Sequence, residues 1–329
     1  MNLDEAVRTI AKKGFTERQA RFLVLVTRHS GVCVMRQYSA FAGIVFGQKT
    51  RKFFAKLERL GYVSTYDCAH NRARIYHLRH RDLYEAIGDP ESRLRRPPAV
   101  PRALERLMVL DALMEHPDIV WLATPEEKVA HLTTLTNIRL EDLPHLVVGQ
   151  GEARRVRYFP DRLPIGIHPE GRVVLVYLLV DPLHDEFRAF LTRHAAMLSG
   201  LRAWTVRVGV PAHLAGRAQE MLQAAWAQIA PPLRDTTRDE LRWYFEQLRA
   251  GRAERCADPE AERFKRAEQA FQLRRYPVLY RAWLQDGERA LTVASSRAIS
   301  DALDSKVGRI EPLILPHSYG HLSPLVGVA

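Results

Sequence analysis

Between Gln48 and Leu60 the chain reads QKTRKFFAKLERL, where Lys49, Arg51, Lys52, Lys56 and Arg59 supply cations at short intervals. Side chains of these types bind phosphate oxygens and the edges of bases. A Gln amide matches adenine, Arg or Lys matches guanine, and hydroxyl and ammonium groups serve phosphates. Gln48, Lys49, Arg51 and Lys52, at the start of the segment, are therefore expected to meet base edges, with Thr50 on a phosphate. Lys56 and Arg59 follow one and two turns later and are expected on the phosphate backbone. A second polar cluster, His70, Asn71, Arg72 and Arg74, would run along the backbone or into the minor groove. Arg93, Arg95 and Arg96 are candidates for further backbone contacts.

Positioning such a set takes a helix held by its other face. Phe53, Phe54, Leu57 and Leu60 give the spacing of one buried stripe, and Gly47 and Gly61 flank the segment, so the periodicity predicts a helix over Gln48 to Leu60. Upstream, residues 3–13 predict a short helix stopped by Gly14. Thr16 reads as the N-cap of a helix running to His29, with Phe22, Leu23, Leu25 and Val26 on its apolar face. Val32 to Met35 reads as extended, Gln37 to Ala42 as a short helix with Tyr38 and Phe41 inward, and Gly43 to Gly47 as a turn. After the basic helix, Tyr62 to Asp67 and Arg74 to Leu78 have strand composition around a polar turn. Helix, short helix, turn, longer helix and hairpin form the layout of a winged helix-turn-helix, whose second long helix enters the major groove.

The opening TERQARFLVLVTRH, the junction LERLGYV and the short basic hairpin carry a resemblance. Residues 16–87 resemble the winged helix-turn-helix of MarR-type regulators and of the replication-relaxation proteins of bacterial mobile elements. The resemblance covers under a third of the chain. It implies double-stranded DNA as the partner, with Gln48 to Leu60 as the recognition helix. A palindromic target and a homodimer go with such a design.

The bulk properties agree with that partner. A net charge of +11 over 329 residues points to a polyanion. Hydrophobic residues at 47% and charged residues at 26% suit a globular chain with room for two domains. Cys33, Cys68 and Cys256 are far apart, which argues against disulfides or a thiolate metal site and for a reducing cytosol. The N-terminal MNLDEAVRTIAKKGF carries acids and lacks the apolar core of a signal peptide. The longest apolar run, Val173 to Val180, is too short to span a bilayer. A cytoplasmic protein without membrane association is expected.

The stretch DPESRLRRPPAVP, residues 89–101, reads as a stiff linker after a DNA-binding domain over 1–88. Arg102 to Glu115 predicts an amphipathic helix, and Thr124-Pro125-Glu126-Glu127 has the form of a helix start, giving a helical connector over 102–150. Strands are predicted at 155–159, 163–168, 172–180 and 203–210, with helices at 185–198 and 213–230, forming a small α/β domain over 151–230. Residues 231–329 read as mostly helical, with a loop-like stretch from 305. The fold class expected is α+β: an N-terminal winged helix-turn-helix, a mixed α/β domain with a small sheet, and a helical C-terminal part.

Replication-relaxation proteins carry a segment similar to the PD-(D/E)xK nuclease fold, and the 163–210 region follows a comparable order. Such a metal-dependent site needs two acids and a lysine. Here Ile165 follows Pro164, Asp181 is the candidate second acid, Leu183 stands where the lysine belongs, and Asp161 is the other acid on offer. The sheet is therefore expected to be non-catalytic. Of His184, Asp185, Glu186 and His194, the two histidines are ten apart and not on adjacent turns of one helix face, which reads as a solvated helix start, and the His317–His321 pair sits in a Gly- and Pro-flanked loop, so no metal or cofactor is expected. Trp204, Trp226, Trp243 and Trp283, with Tyr244, Phe245, Tyr276 and Tyr280, are expected to pack rather than to stack bases. The expectation is a sequence-specific double-stranded DNA-binding protein without catalytic residues, a regulator or replication-associated factor of a mobile element. It would be a homodimer with its C-terminal region open to a protein partner. A divergent nuclease, or an adaptor whose winged helix binds protein, is the alternative.

Overall fold

The computed structural model describes residues 3–68, 73–149, 154–179, 185–216, 218–220, 222–223, 231–251, 258–273, 275–317, 319 and 322. The chain is a mixed α+β structure with small sheets. Its N-terminal core is built on aromatic rings. The helices α1 (Leu3–Ala11), α2 (Glu17–His29), α3 (Met35–Ala42) and α4 (Gln48–Arg59) surround it. Phe22 of α2 meets Tyr38 of α3 at 5.2 Å between ring centroids, Tyr38 meets Phe53 of α4 at 4.2 Å, and Phe54 meets Tyr76 at 4.4 Å. The start of α2 follows from its sequence. Gln19 N donates to Thr16 Oγ1 (3.3 Å) and Thr16 N donates to Gln19 Oε1 (3.1 Å), a reciprocal cap worth about 1 kcal/mol.

Strands β1 (Val32–Cys33), β2 (Val63–Asp67) and β3 (Arg74–Leu78) form an antiparallel sheet in the order β1-β3-β2. As the central strand, β3 is buried on both faces. Tyr76 and Leu78 join the aromatic core, while Ile75 faces a second core with Val32 and Val34. The short α5 (Arg81–Glu85) follows, then a 3-10 turn at Arg93–Arg95, then α6 (Val100–Met114).

Downstream come β4 (Val120–Leu122), α7 (Pro125–Leu135), β5 (His145–Val148), β6 (Arg155–Tyr158), β7 (Ile165–Ile167), β8 (Val173–Leu178), α8 (Asp185–Gly200) and β9 (Trp204–Pro211). They are followed by α9 (Asp235–Arg249), α10 (Asp258–Ala270), α11 (Arg275–Asp286), α12 (Glu288–Ser295), α13 (Ala298–Asp304) and β10 (Gly308–Leu315). The larger sheet runs β10-β9-β8-β7-β4, with β8, β9 and β10 parallel. Strand β8 reads VVLVYL because both of its faces are covered. Val173, Leu175 and Tyr177 pack with Phe187, Phe190 and Leu191 of α8, whereas Val176 and Leu178 pack with Leu104, Leu107 and Met108 of α6. Gly308 opens β10 beneath the Trp204 indole, where an added Cβ would lie 2.4 Å from Cζ2. Between β9 and β10, α9 to α12 enclose a core of their own around Leu241, Phe245, Leu279 and Trp283.

Several expectations are corrected. Leu60 is 39% exposed, because α4 ends at Arg59 and Leu60 turns off its buried stripe. Residues 89–101 are no free spacer: Leu94 packs on the aromatic core, and its carbonyl accepts a 2.8 Å hydrogen bond from His77 Nε2. Helix α6 contributes Leu110 to the N-terminal core and Leu104, Leu107 and Met108 to the core shared with β8. The larger sheet likewise takes strands from 120–122 and 308–315, so the stretch from 305 is not simply a loop. Of the predicted 213–230 helix, residues 215–216, 218–220 and 222–223 are helical, and 224–230 lie outside the described residues. Among the described residues no helix is long and apolar enough to cross a membrane.

Two buried histidines make this packing pH-sensitive. His77 is 0% exposed on β3 and His194 is 2% exposed on α8, where its Nδ1 lies 2.8 Å from Phe190 O. Burial, ahead of every other influence, holds both rings below the ordinary histidine range. The unfolded chain therefore takes up protons below about pH 6.5 that the folded chain does not. Stability is full above that pH and falls as the medium is acidified, by at most about 1.4 kcal/mol per pH unit for each ring. Urea midpoints at pH 7.5, 6 and 5 are expected to decline in that order, and a midpoint that held steady would remove the effect.

Candidate nucleic-acid interface

The basic helix is set by what it buries. Thr50, Phe53, Phe54 and Leu57 of α4 are buried. Thr50 is 0% exposed, and its hydroxyl lies 2.7 Å from Ser39 Oγ, which joins α4 to α3. Gly43 ends α3 in the left-handed region at φ 60°, turning the chain toward α4. The expected phosphate role of Thr50 is therefore corrected, because its hydroxyl faces α3 instead of solvent. Thr50→Val is expected to cost about 1–2 kcal/mol by leaving the Ser39 hydroxyl short of its partner. Duplex binding at full folding should stay intact. A loss of binding without a loss of stability would contradict the buried role.

On the opposite face Gln48, Lys49, Arg51, Lys52 and Arg59 are exposed. Among the described residues no carboxylate pairs with Lys49, Arg51, Lys52 or Arg59, although arginines elsewhere in the chain commonly pair, as Arg28 does with Glu127 and Arg36 with Asp111. The first turn of α4 holds no acid, and Gly47 supplies no side-chain cap. The helix start thus carries bare N–H groups, the positive end of the helix dipole and three cations together.

Other expected contacts are drawn inward. Lys56 Nζ donates to Gly14 O and stands 4.5 Å over the Phe15 ring, so it fastens α4 to the α1–α2 turn. Arg74 pairs with Asp67 (3.0 Å) and Glu58 (3.7 Å), closing the hairpin onto α4. Arg95 is tied to the Pro90 and Arg79 carbonyls, while Arg93 and Arg96 are exposed. His70, Asn71 and Arg72 lie outside the described residues.

No family model, curated protein or solved structure matches the chain.

Two residues of this face went unnoticed in the sequence. Val45 is 91% exposed and Phe46 50% exposed in the turn just before α4, and the Arg51 guanidinium lies 5.9 Å from the Phe46 ring centre. The signal available was an apolar pair between Gly43 and Gly47, where a turn is usually polar.

The polar cluster around Asp161 is internally matched. Asp161 pairs with Arg193 (3.1 Å) and faces His194, beside buried Lys128, whose Nζ donates to Leu163 O (2.8 Å). Burial, despite Asp161 and Glu127 nearby, pulls the Lys128 ammonium down to about 8. Asp181, Leu183, His184, His321 and Trp226 lie outside the described residues. Among the described residues no group of three His, Cys, Asp or Glu is placed to hold a metal ion. A cleft between α8 and the C-terminal helices is lined by Asp142, Arg193, Arg275, Asp286 and Arg289, and Arg289 and Arg139 both reach Asp142. Trp204 and Trp283 are buried, and Tyr244, Tyr276 and Tyr280 pack around Phe245 and Phe271, in keeping with a packing role for these aromatics.

Proposed function

We propose that residues 1–88 form a winged helix-turn-helix and that the chain binds double-stranded DNA, reading base edges through α4. The observation that carries this is the start of α4, where exposed Lys49, Arg51 and Lys52 crowd an uncapped, acid-free helix N-terminus. Like charges at the positive end of a helix dipole disfavour one another and favour an arriving anion. Duplex DNA is the polyanion whose major groove admits a helix, and it offers base edges that Gln48, Arg51 and Lys52 are equipped to read. Val45 and Phe46 at the same end suit thymine methyl groups or sugar faces. The β2–β3 hairpin stands as the wing, held to α4 through Arg74 and Glu58. Two copies on a palindromic target go with such a design, and a role in regulation or in replication of a mobile element is what the resemblance of residues 16–87 implies.

A salt titration tests it. Affinity for a labelled duplex, followed by fluorescence anisotropy, is expected to fall linearly on a log–log plot, with a slope of about −0.9 for each phosphate neutralised. Absence of binding at low salt, or binding indifferent to salt, would overturn the reading.

A further inference from the structure

Strands β5 and β6 pair with each other in the register His145↔Tyr158 to Val148↔Arg155, as a two-stranded sheet separate from the other two. Buried Leu143 and Phe159 root this ribbon in the body of the protein. Away from the root exposure rises, with Val147 at 38%, Val156 at 48% and Val148 at 56%. The end of the ribbon away from its root is thus little covered. Arg155 and Arg157 lie two apart on β6 and so share one face, and both are exposed.

A cluster of cations gathers at the ribbon's root. Arg162 sits in the turn after β6, its N–H bonded to Phe159 O (3.1 Å). Partial burial, followed by the nearby charges of Arg157, Arg93, Arg102 and Arg106, pulls its guanidinium down to about 10. Arg93 belongs to the 3-10 turn that packs on β3, and Arg102 and Arg106 to the first turns of α6. The cluster therefore straddles the N-terminal unit and the sheet that follows it. Glu105 pairs with Arg102, but among the described residues no carboxylate pairs with Arg93, Arg106, Arg155, Arg157 or Arg162. Asp161, the acid next to Arg162 in the chain, is taken by Arg193. Arg106 also buries a guanidinium nitrogen with no hydrogen-bond partner. Guanidinium groups that outnumber their counter-charges repel one another, and a polyanion relieves the repulsion.

We propose that the β5–β6 ribbon, with Arg155 and Arg157 on β6 and Arg162 in the turn at its root, is a second surface for duplex DNA, separate from α4. The proposal rests on the DNA-binding reading above and adds a second grip to it. Arginine's planar fork suits phosphate oxygens. A two-stranded ribbon fits the major groove of B-form DNA, whereas the deep, narrow major groove of A-form RNA excludes one. The exposed large apolar side chains on the ribbon are short valines, Val147, Val148 and Val156, the last between two arginines, a poor match to the broad apolar face that an anionic membrane surface takes up. A duplex spanning both surfaces would be held at two points by one chain.

The full-length chain is tested with a labelled duplex several helical turns long. Two variants carry the test, Arg155→Glu with Arg157→Glu, and Arg157→Glu with Arg162→Glu, alongside the α4 variant Arg51→Glu with Lys52→Glu. All these side chains are exposed and, among the described residues, without ion-pair partners, so the unfolding midpoint serves as the control for folding. Each ribbon variant is expected to bind about tenfold more weakly, with a salt slope shallower by about two, as for two lost phosphate contacts. Ribbon variants that keep wild-type affinity and slope, while the α4 variant loses both, overturn the second surface and leave the first reading standing. The reverse pattern supports the ribbon and removes α4 as the reader. A wild-type chain that binds no duplex overturns both. Ribbon variants that lose binding to duplex RNA or to phosphatidylserine vesicles, yet keep DNA, also overturn the proposal.

Discussion

Arg51→Glu with Lys52→Glu is expected to weaken duplex binding by about a hundredfold or more while leaving the protein as stable as before, or slightly more so. Each contact from an arginine or lysine to a base edge is worth about 1–3 kcal/mol, so two lost contacts alone account for such a drop. Reversal adds repulsion between the new carboxylates and the phosphates. Stability moves the other way. Arg51 and Lys52 sit near the start of a helix with no acid in its first turn, and an acid near that end contributes about 0.3–1 kcal/mol through the helix dipole. Neither side chain has an ion-pair partner among the described residues to lose. The opposite signs matter, because a variant that lost DNA through misfolding would lose both together. Anisotropy with the duplex and a urea midpoint on the same preparation decide it. Unchanged affinity would mean that α4 does not read the groove. Arg74→Glu provides a contrast: its partners are Asp67 and Glu58, so its main expected effect is on the hairpin's attachment.

Local signals in the sequence carried most of the N-terminal unit. Thr16, the glycines at 14, 43 and 61, and the apolar spacings are short-range, and α2, α3, α4 and the hairpin lie where those signals put them. The misjudgement at α4 is instructive. Its buried stripe is Thr50, Phe53, Phe54 and Leu57, the i, i+3, i+4, i+7 pattern begun one turn earlier than Leu60 suggests. A threonine among cations reads as polar, and only its position three residues before Phe53 marks it as buried. What could not be read was long-range. Strand β10 pairs in parallel with β9 about a hundred residues away, and GRIEPLIL contains Pro312, which lowers its strand signal. An edge position reconciles the two, since a proline's missing N–H is tolerated there. Residues 89–101 misled because prolines and arginines mask one informative residue, Leu94, and an apolar residue gains meaning only once a core is there to receive it. The clustered arginines are spread over residues 93 to 162 in sequence, and their proximity comes from the fold alone.

Asp111→Asn is expected to be among the most destabilising single changes in the chain, by about 3 kcal/mol, because one buried carboxylate serves three segments at once. Asp111 lies on α6 and is 4% exposed. Its Oδ1 and Oδ2 accept a two-pronged pair from Arg36 of α3 (2.9 and 2.8 Å). Oδ1 also accepts from Gln37 Nε2 (2.9 Å), and Oδ2 from the hydroxyl of Tyr319. Tyr319 is itself buried beyond the end of β10, and the Arg36 guanidinium stands 5.5 Å from its ring centre. The amide would present one acceptor oxygen and two donors, and the guanidinium would be left half-buried without its counter-charge. Tyr319→Phe, by contrast, removes one hydrogen bond and keeps the ring, so about 1 kcal/mol is expected. Urea denaturation of the two variants and their double mutant gives the coupling directly, and residues sharing one acceptor should not add. A strictly additive double mutant would mean that the tyrosine hydroxyl and the Arg36–Asp111 pair act independently. The position of the hub gives the measurement its interest. Arg36 and Gln37 lie in the first turn of α3, whose Tyr38 packs on Phe53 of α4 at 4.2 Å, so loosening Asp111 should reach α4 as well. Duplex affinity of Asp111→Asn should therefore drop measurably even where the protein remains folded, although no residue of the hub belongs to the exposed face of α4.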